Sequence, residues 1–169
     1  MNIEELKTLS KDQIQVQATQ LTAADVKLLI ETLSAKDDKL RYKAFLLLQA
    51  HSKEQPSVYS YWEVLKKKLG SENSYQRSLG VMLIAENARW DKEGKFPRVM
   101  NQYMACCNDE KFITSRQAIQ GLGTIIESTG KYKDSIAKAL AGLQFTKYKE
   151  NQQKLLRKDV SNVLKLANK

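Results

Sequence analysis

The chain has 169 residues, 42% hydrophobic and 28% charged, which is enough to bury a core without disulfide or metal staples. Two prolines, seven glycines and no Gly/Ser or Gln/Asn tract exclude long linkers and low-complexity segments. The formal charge of +9 is uneven: residues 131–169 hold 10 basic and 3 acidic groups, which points to an anionic partner or a solvated end.

In chain order, residues 2–9 and 11–20 read as short helices forming an N-terminal cap over 1–21. Gln13 to Ala18 alternates like a strand, so the periodicity there is mixed. The acidic Glu4 and Glu5, with no apolar core segment, argue against a secretory leader. Thr22 to Asp25 resembles a capping box, and Val26, Leu29, Ile30 and Leu33 then form a helical stripe. Asp37 or Asp38 can cap a second helix carrying Leu40, Ala44, Leu47 and Leu48, which completes a helical pair over 22–52.

Pro56-Ser57 opens the next pair, 56–89. Its first helix carries Val58, Tyr61, Trp62, Leu65 and Leu69 and stops at Gly70. Ser71 or Asn73 starts its partner, which runs to about Ala88. Trp90 to Gly94 reads as a loop. Phe96, Val99, Met100, Tyr103 and Cys107 begin the pair at 95–129, whose second helix runs from Phe112 to about Ser128 before Gly130. The last pair, 131–169, comprises helices at about 132–145 and 149–167. No segment is long and apolar enough to span a membrane, and the fold class is all-α.

Four arginines, Arg41, Arg77, Arg116 and Arg157, recur at intervals of 36, 39 and 41 residues, each in the second helix of a pair. Packing residues follow at fixed offsets: Ala44, Gly80, Ile119 and Val160 three residues on, and Leu47, Leu83, Leu122 and Val163 six residues on. Such self-similarity marks stacked helical pairs, each covering its neighbour's apolar face. With an acidic or polar start before each arginine (Asp37, Asn73, Glu110, Glu150), the chain resembles the HEAT and armadillo families. The resemblance covers about 23–167. It implies a right-handed α-solenoid of about four pairs behind a short helical cap, with the second helices along the concave face.

That resemblance implies a non-catalytic scaffold that holds a protein segment or acidic peptide, and the adjacent cysteines and lack of a leader make the cytoplasm its expected compartment. The candidate contact residues are Arg41, Gln76, Arg77, Arg116, Gln117 and Gln120. Arginine suits such a track because its planar fork donates bidentate hydrogen bonds to carboxylate or phosphate. The same regular recurrence arises if each arginine instead pairs with an acidic residue of a neighbouring repeat. If the track binds, charge reversal at Arg77 and Arg116 leaves melting unchanged.

Nucleic acid is the alternative partner, through the basic set Lys147, Lys149, Lys154, Arg157 and Lys158. A related group, the alkylpurine DNA glycosylases, uses an aromatic–carboxylate–arginine constellation, and Trp90, Asp91 and Arg116 supply those residue types. Trp90 and Asp91 are adjacent, however, and neighbouring helical side chains diverge by roughly 100°. In a loop, the same two residues are candidates for an exposed anchor.

Lys66-Lys67-Lys68 reads as a solvated helix end that favours the carbonyl dipole. The adjacent Cys106 and Cys107 cannot form an ordinary structural disulfide with each other, which suits a reducing compartment. With the lone His51 they supply no metal or iron–sulfur ligand set. No nucleotide-binding or common catalytic motif is present, so the expectation is no cofactor and no metal.

Overall fold

Local side-chain chemistry sets most helix starts in the computed structural model, which describes residues 1–169. Helix α1 (Ile3–Thr8) begins with a capping box in which Asn2 accepts from the Glu5 amide and Glu5 accepts from the Asn2 amide. In α2 (Lys11–Ala18) the Gln13 side chain accepts from the Ser10 amide at 2.9 Å. The strand-like alternation there gives way to a helix because Ile14 and Ala18, four residues apart, share the buried face. Val16 is left 61% exposed.

The Thr22–Asp25 box starts α3 (Ala23–Thr32). Asp37 caps α4 (Asp38–Glu54) by accepting from the Lys39 and Leu40 amides. Pro56 opens a 3-10 turn, Pro56–Tyr61, before α5 (Trp62–Leu69), so the expected helix start is tighter than α-helical. Asn73 caps α6 (Ser74–Asn87), which tightens into the 3-10 turn Ala88–Trp90. Gly94, at φ +65°, admits the chain to α7 (Lys95–Cys106).

Helix α8 (Phe112–Ser128) ends before the 3-10 turn Gly130–Tyr132. Helix α9 (Lys133–Ala141) stops four residues short of the expected end at 145. Gly142 follows it, and the buried Phe145 and Tyr148 turn the chain back toward α10 (Glu150–Ala167). The result is all-α: ten helices and no strand.

Packing follows the pairing of the sequence. The helices α3 with α4, α5 with α6, α7 with α8 and α9 with α10 lie against each other. The second members also pack in chain order, α4 on α6, α6 on α8 and α8 on α10, while α1 and α2 cover α4. One continuous apolar core runs from Leu6 to Ala167.

Polar rungs cross between successive pairs. Asn87 Nδ2 donates to Ser52 Oγ at 3.0 Å, Ser78 and Thr114 hydroxyls meet at 2.9 Å, and Arg77 and Arg116 each reach one pair onward. Each rung satisfies a polar group that the stacking would otherwise strand in the core.

Candidate functional site

The recurring arginines are occupied within the fold to different degrees. Arg77 makes a two-pronged pair with Asp109, in the turn before α8, at 2.6 and 2.9 Å, and donates to the Ser71 and Glu72 carbonyls. Arg116 grips Asp159 of α10 in the same way at 2.7 and 3.0 Å. Arg41 pairs with Asp38 of its own helix and stacks over the Tyr75 ring at 4.5 Å. Arg157 meets only Gln153, one turn back.

Two of the four are therefore rungs between successive pairs, with buried carboxylates as partners. Reversing Arg77 would set a carboxylate against Asp109, and because an unpaired buried charge destabilises strongly, a lower melting temperature is the expected outcome there. The hydrogen bonds from Arg77 hold the Asp109 carboxyl below the usual range against the opposing effect of burial.

The glutamines divide as well. Gln76 is used internally: its Nε2 donates to the Leu33 carbonyl at 2.8 Å and its Oε1 accepts from Lys68. Gln117 and Gln120 line a cavity of about 170 Å³ between α4, α6 and α8, together with Gln49, Met82, Glu86 and Thr124. The Gln117 Oε1 is buried there with no hydrogen-bond partner. A second cleft of about 310 Å³ continues past Lys53, Glu86, Arg89 and Glu127. Burial pushes the Glu86 carboxyl up, while Arg89, which donates at 2.8 Å, partly offsets this.

The exposed apolar side chains extend this face. Five large ones are left open: Val16, Tyr42, Val64, Ile113 and Leu155. Tyr42, Ile113 and Leu155 fall near the starts of α4, α8 and α10, which belong to the series of second helices packed side by side. All three lie off the apolar stripes read from the sequence, and periodicity alone gives such off-stripe residues no role.

Trp90 and Asp91 do not form an exposed anchor. Trp90 is half-buried and its Nε1 donates to the Ser52 carbonyl at 2.7 Å, closing the end of α4. Asp91 is buried and accepts four hydrogen bonds, from the Tyr59 and Tyr132 hydroxyls and the Lys95 and Phe96 amides, all at 2.7–2.8 Å. Burial alone would raise its carboxyl, but these donors hold it below the usual carboxylate range. Its oxygens are committed to the fold, and Trp90, Asp91 and Arg116 turn to separate partners rather than to one pocket.

The C-terminal cations Lys147, Lys149, Lys154, Arg157 and Lys158 are all exposed, and the one ion pair among them joins Lys154 to Glu150. The Lys66-Lys67-Lys68 run departs from the solvated reading at its last member: Lys68 is buried and lies without a carboxylate partner. Both cysteines are buried. Burial raises the Cys106 thiol to about 11 and holds the Cys107 thiol well above its ordinary value, which disfavours the reactive thiolate in each. His51 bridges the Ala18 carbonyl and Ser57 Oγ, both at 2.7 Å, tying α2 to α4.

No group of three or more metal-ligating side chains forms, and no helix is long and apolar enough to cross a membrane. Neither a family model nor a curated protein matches the chain.

Proposed function

We propose that the chain is a HEAT-like α-solenoid module whose second helices take up a protein segment, with an acidic peptide the best-suited partner. The observation that carries this reading is the placement of Tyr42, Ile113 and Leu155, exposed on second helices that pack in succession. Exposed aromatic and aliphatic anchors are what a docking face needs. Between them the side-chain amides of Gln49 and Gln120 can serve a peptide backbone. Arg77 and Arg116 act in this reading as the ladder that holds the face in register, not as its contacts.

Site-specific photo-crosslinking in the source cells tests the proposal. A benzoylphenylalanine at Gln120 should give a discrete adduct that the same group at Arg98, exposed on α7, does not. Identical adduct patterns from both positions, or none from Gln120, refute it.

The exposed cations before and along α10, of which only Lys154 is ion-paired, favour a second reading, nucleic-acid binding at that end. Fluorescence anisotropy with a generic DNA duplex and a single-stranded RNA, at low and near-physiological salt, separates the two. Binding that collapses with salt, and disappears when Lys147, Lys149, Lys154 and Lys158 are neutralised, identifies the basic end as the site. Absence of binding at low salt removes it.

A further inference from the structure

A cleft of about 570 Å³ lies between the first two helical pairs, away from the second-helix cavities. Its walls carry four cations and no carboxylate: Lys36 from the α3–α4 turn, Arg41 from α4, and Lys67 and Lys68 from α5. Ser34, Ser71 and Asn73 add neutral polar groups, and Val64, 40% exposed, supplies an apolar patch.

Two of these cations are incompletely served by the protein. Lys68 is 7% exposed, yet its Nζ reaches only neutral acceptors, Ser34 Oγ at 3.4 Å and Gln76 Oε1. Burial, with repulsion from Arg41, pushes its ammonium below the ordinary lysine value. Arg41 places Nη1 on the Ala35 carbonyl at 2.9 Å and Nη2 on Asp38, but its Nε is buried with no partner. A buried cation without a counter-charge is costly, and an orphaned donor beside it adds to the cost. An anion seated in the cleft would supply the counter-charge that Lys68 lacks.

We propose that this cleft binds a phosphate group carried on a small organic molecule. Phosphate matches the site because its charge of nearly two and its three acceptor oxygens meet donors arriving from several elements at once. The cleft also exceeds what a bare ion needs and falls within the range of organic-ligand sites, roughly 300–1,000 Å³. Val64 and the Ala35 side chain offer the carbon skeleton a wall.

The test is titration of the full chain, at constant ionic strength, with inorganic phosphate and with glycerol 3-phosphate, followed by ¹H–¹⁵N NMR. The expected result is saturable shifts at the Gln76 side-chain amide and the Ser71 and Asn73 backbone, with glycerol 3-phosphate the tighter ligand. Lys68→Met should weaken binding by about tenfold or more without lowering the melting temperature of the unliganded protein.

Lys36→Ala with Lys67→Ala, at exposed positions that leave the core untouched, should also weaken it. No saturable shift in the wild type, or the same affinity in the Lys68→Met and Lys36→Ala/Lys67→Ala variants, overturns the proposal. Equal affinity for the two probes overturns the organic-ligand part. Tighter binding by a single-stranded oligonucleotide than by glycerol 3-phosphate would replace the small molecule with a polymer.

Discussion

At the residue scale, Asp91 shows how one side chain joins segments far apart in sequence. Its carboxylate collects hydroxyls from Tyr59 and Tyr132, 32 residues before it and 41 after, and caps the first turn of α7 through two amides. Replacing it with asparagine turns one acceptor into a donor facing donors. It should cost roughly 2–4 kcal/mol, since hydrogen bonds to a charged acceptor are worth more than neutral ones and the orphaned hydroxyls stay buried. The pH dependence has a definite sign. Because the folded carboxyl is held down, its stabilisation is complete above the unfolded aspartate value of about 3.9 and is lost as pH falls through the lower folded value. Urea denaturation at pH 7 and in the acid range therefore checks both parts. The wild type should lose more stability on acidification than Asp91→Asn, and parallel acid losses would show that the carboxylate is not held as the geometry implies.

At the element scale, the contact of α7 and α6 with α8 turns on Gly121. A β-carbon there would stand 3.1 Å from the Ala85 Cβ and inside van der Waals contact of the Tyr103 hydroxyl, which itself donates to the Ala118 carbonyl at 2.9 Å. Overpacking of this kind costs roughly 1–3 kcal/mol, against a helix-propensity gain for alanine of about 1 kcal/mol. Gly121→Ala should thus destabilise in the wild type and cost less when Tyr103→Phe has removed the hydroxyl, the 3.1 Å contact with Ala85 remaining. A double-mutant cycle by thermal denaturation reads that coupling directly, and additive effects would place the strain elsewhere. The coupling was not legible in the sequence: Tyr103 sat correctly on the α7 stripe, but nothing local pairs it with Gly121. The helices themselves were legible, because caps such as Thr22, Asp37 and Asn73 and the 3- and 4-residue apolar steps are local signals. The expected helix to about 145 overran α9, which ends at Ala141; Phe145 and Tyr148 are buried from the loop that follows.

At the scale of the whole molecule, long-range pairing decides which sequence signals are structural. The arginine recurrence was visible at once, but whether it binds or braces depended on Asp109 and Asp159, 32 and 43 residues away from their partners. The buried Lys68, without a carboxylate partner, was hidden at the end of a lysine run whose other members are not buried. The charge asymmetry, in contrast, is a property of composition and survives folding: the cations of residues 131–169 remain exposed and almost unpaired, while the strongest ion pairs, Arg77–Asp109 and Arg116–Asp159, are sheltered. Salt should therefore act mainly on the repulsion at the C-terminal end, because sheltered pairs are screened much less than exposed charges. Raising sodium chloride from about 0.02 to about 0.2 M, which shortens the screening distance to below 10 Å, should raise the melting temperature. Changing Lys147, Lys149, Lys154 and Lys158 to glutamine should raise it already at low salt and flatten the salt response. A melting temperature that falls with salt would mean that the ion pairs, not the crowded lysines, dominate the electrostatics of folding, and that the basic end is less strained than its composition implies.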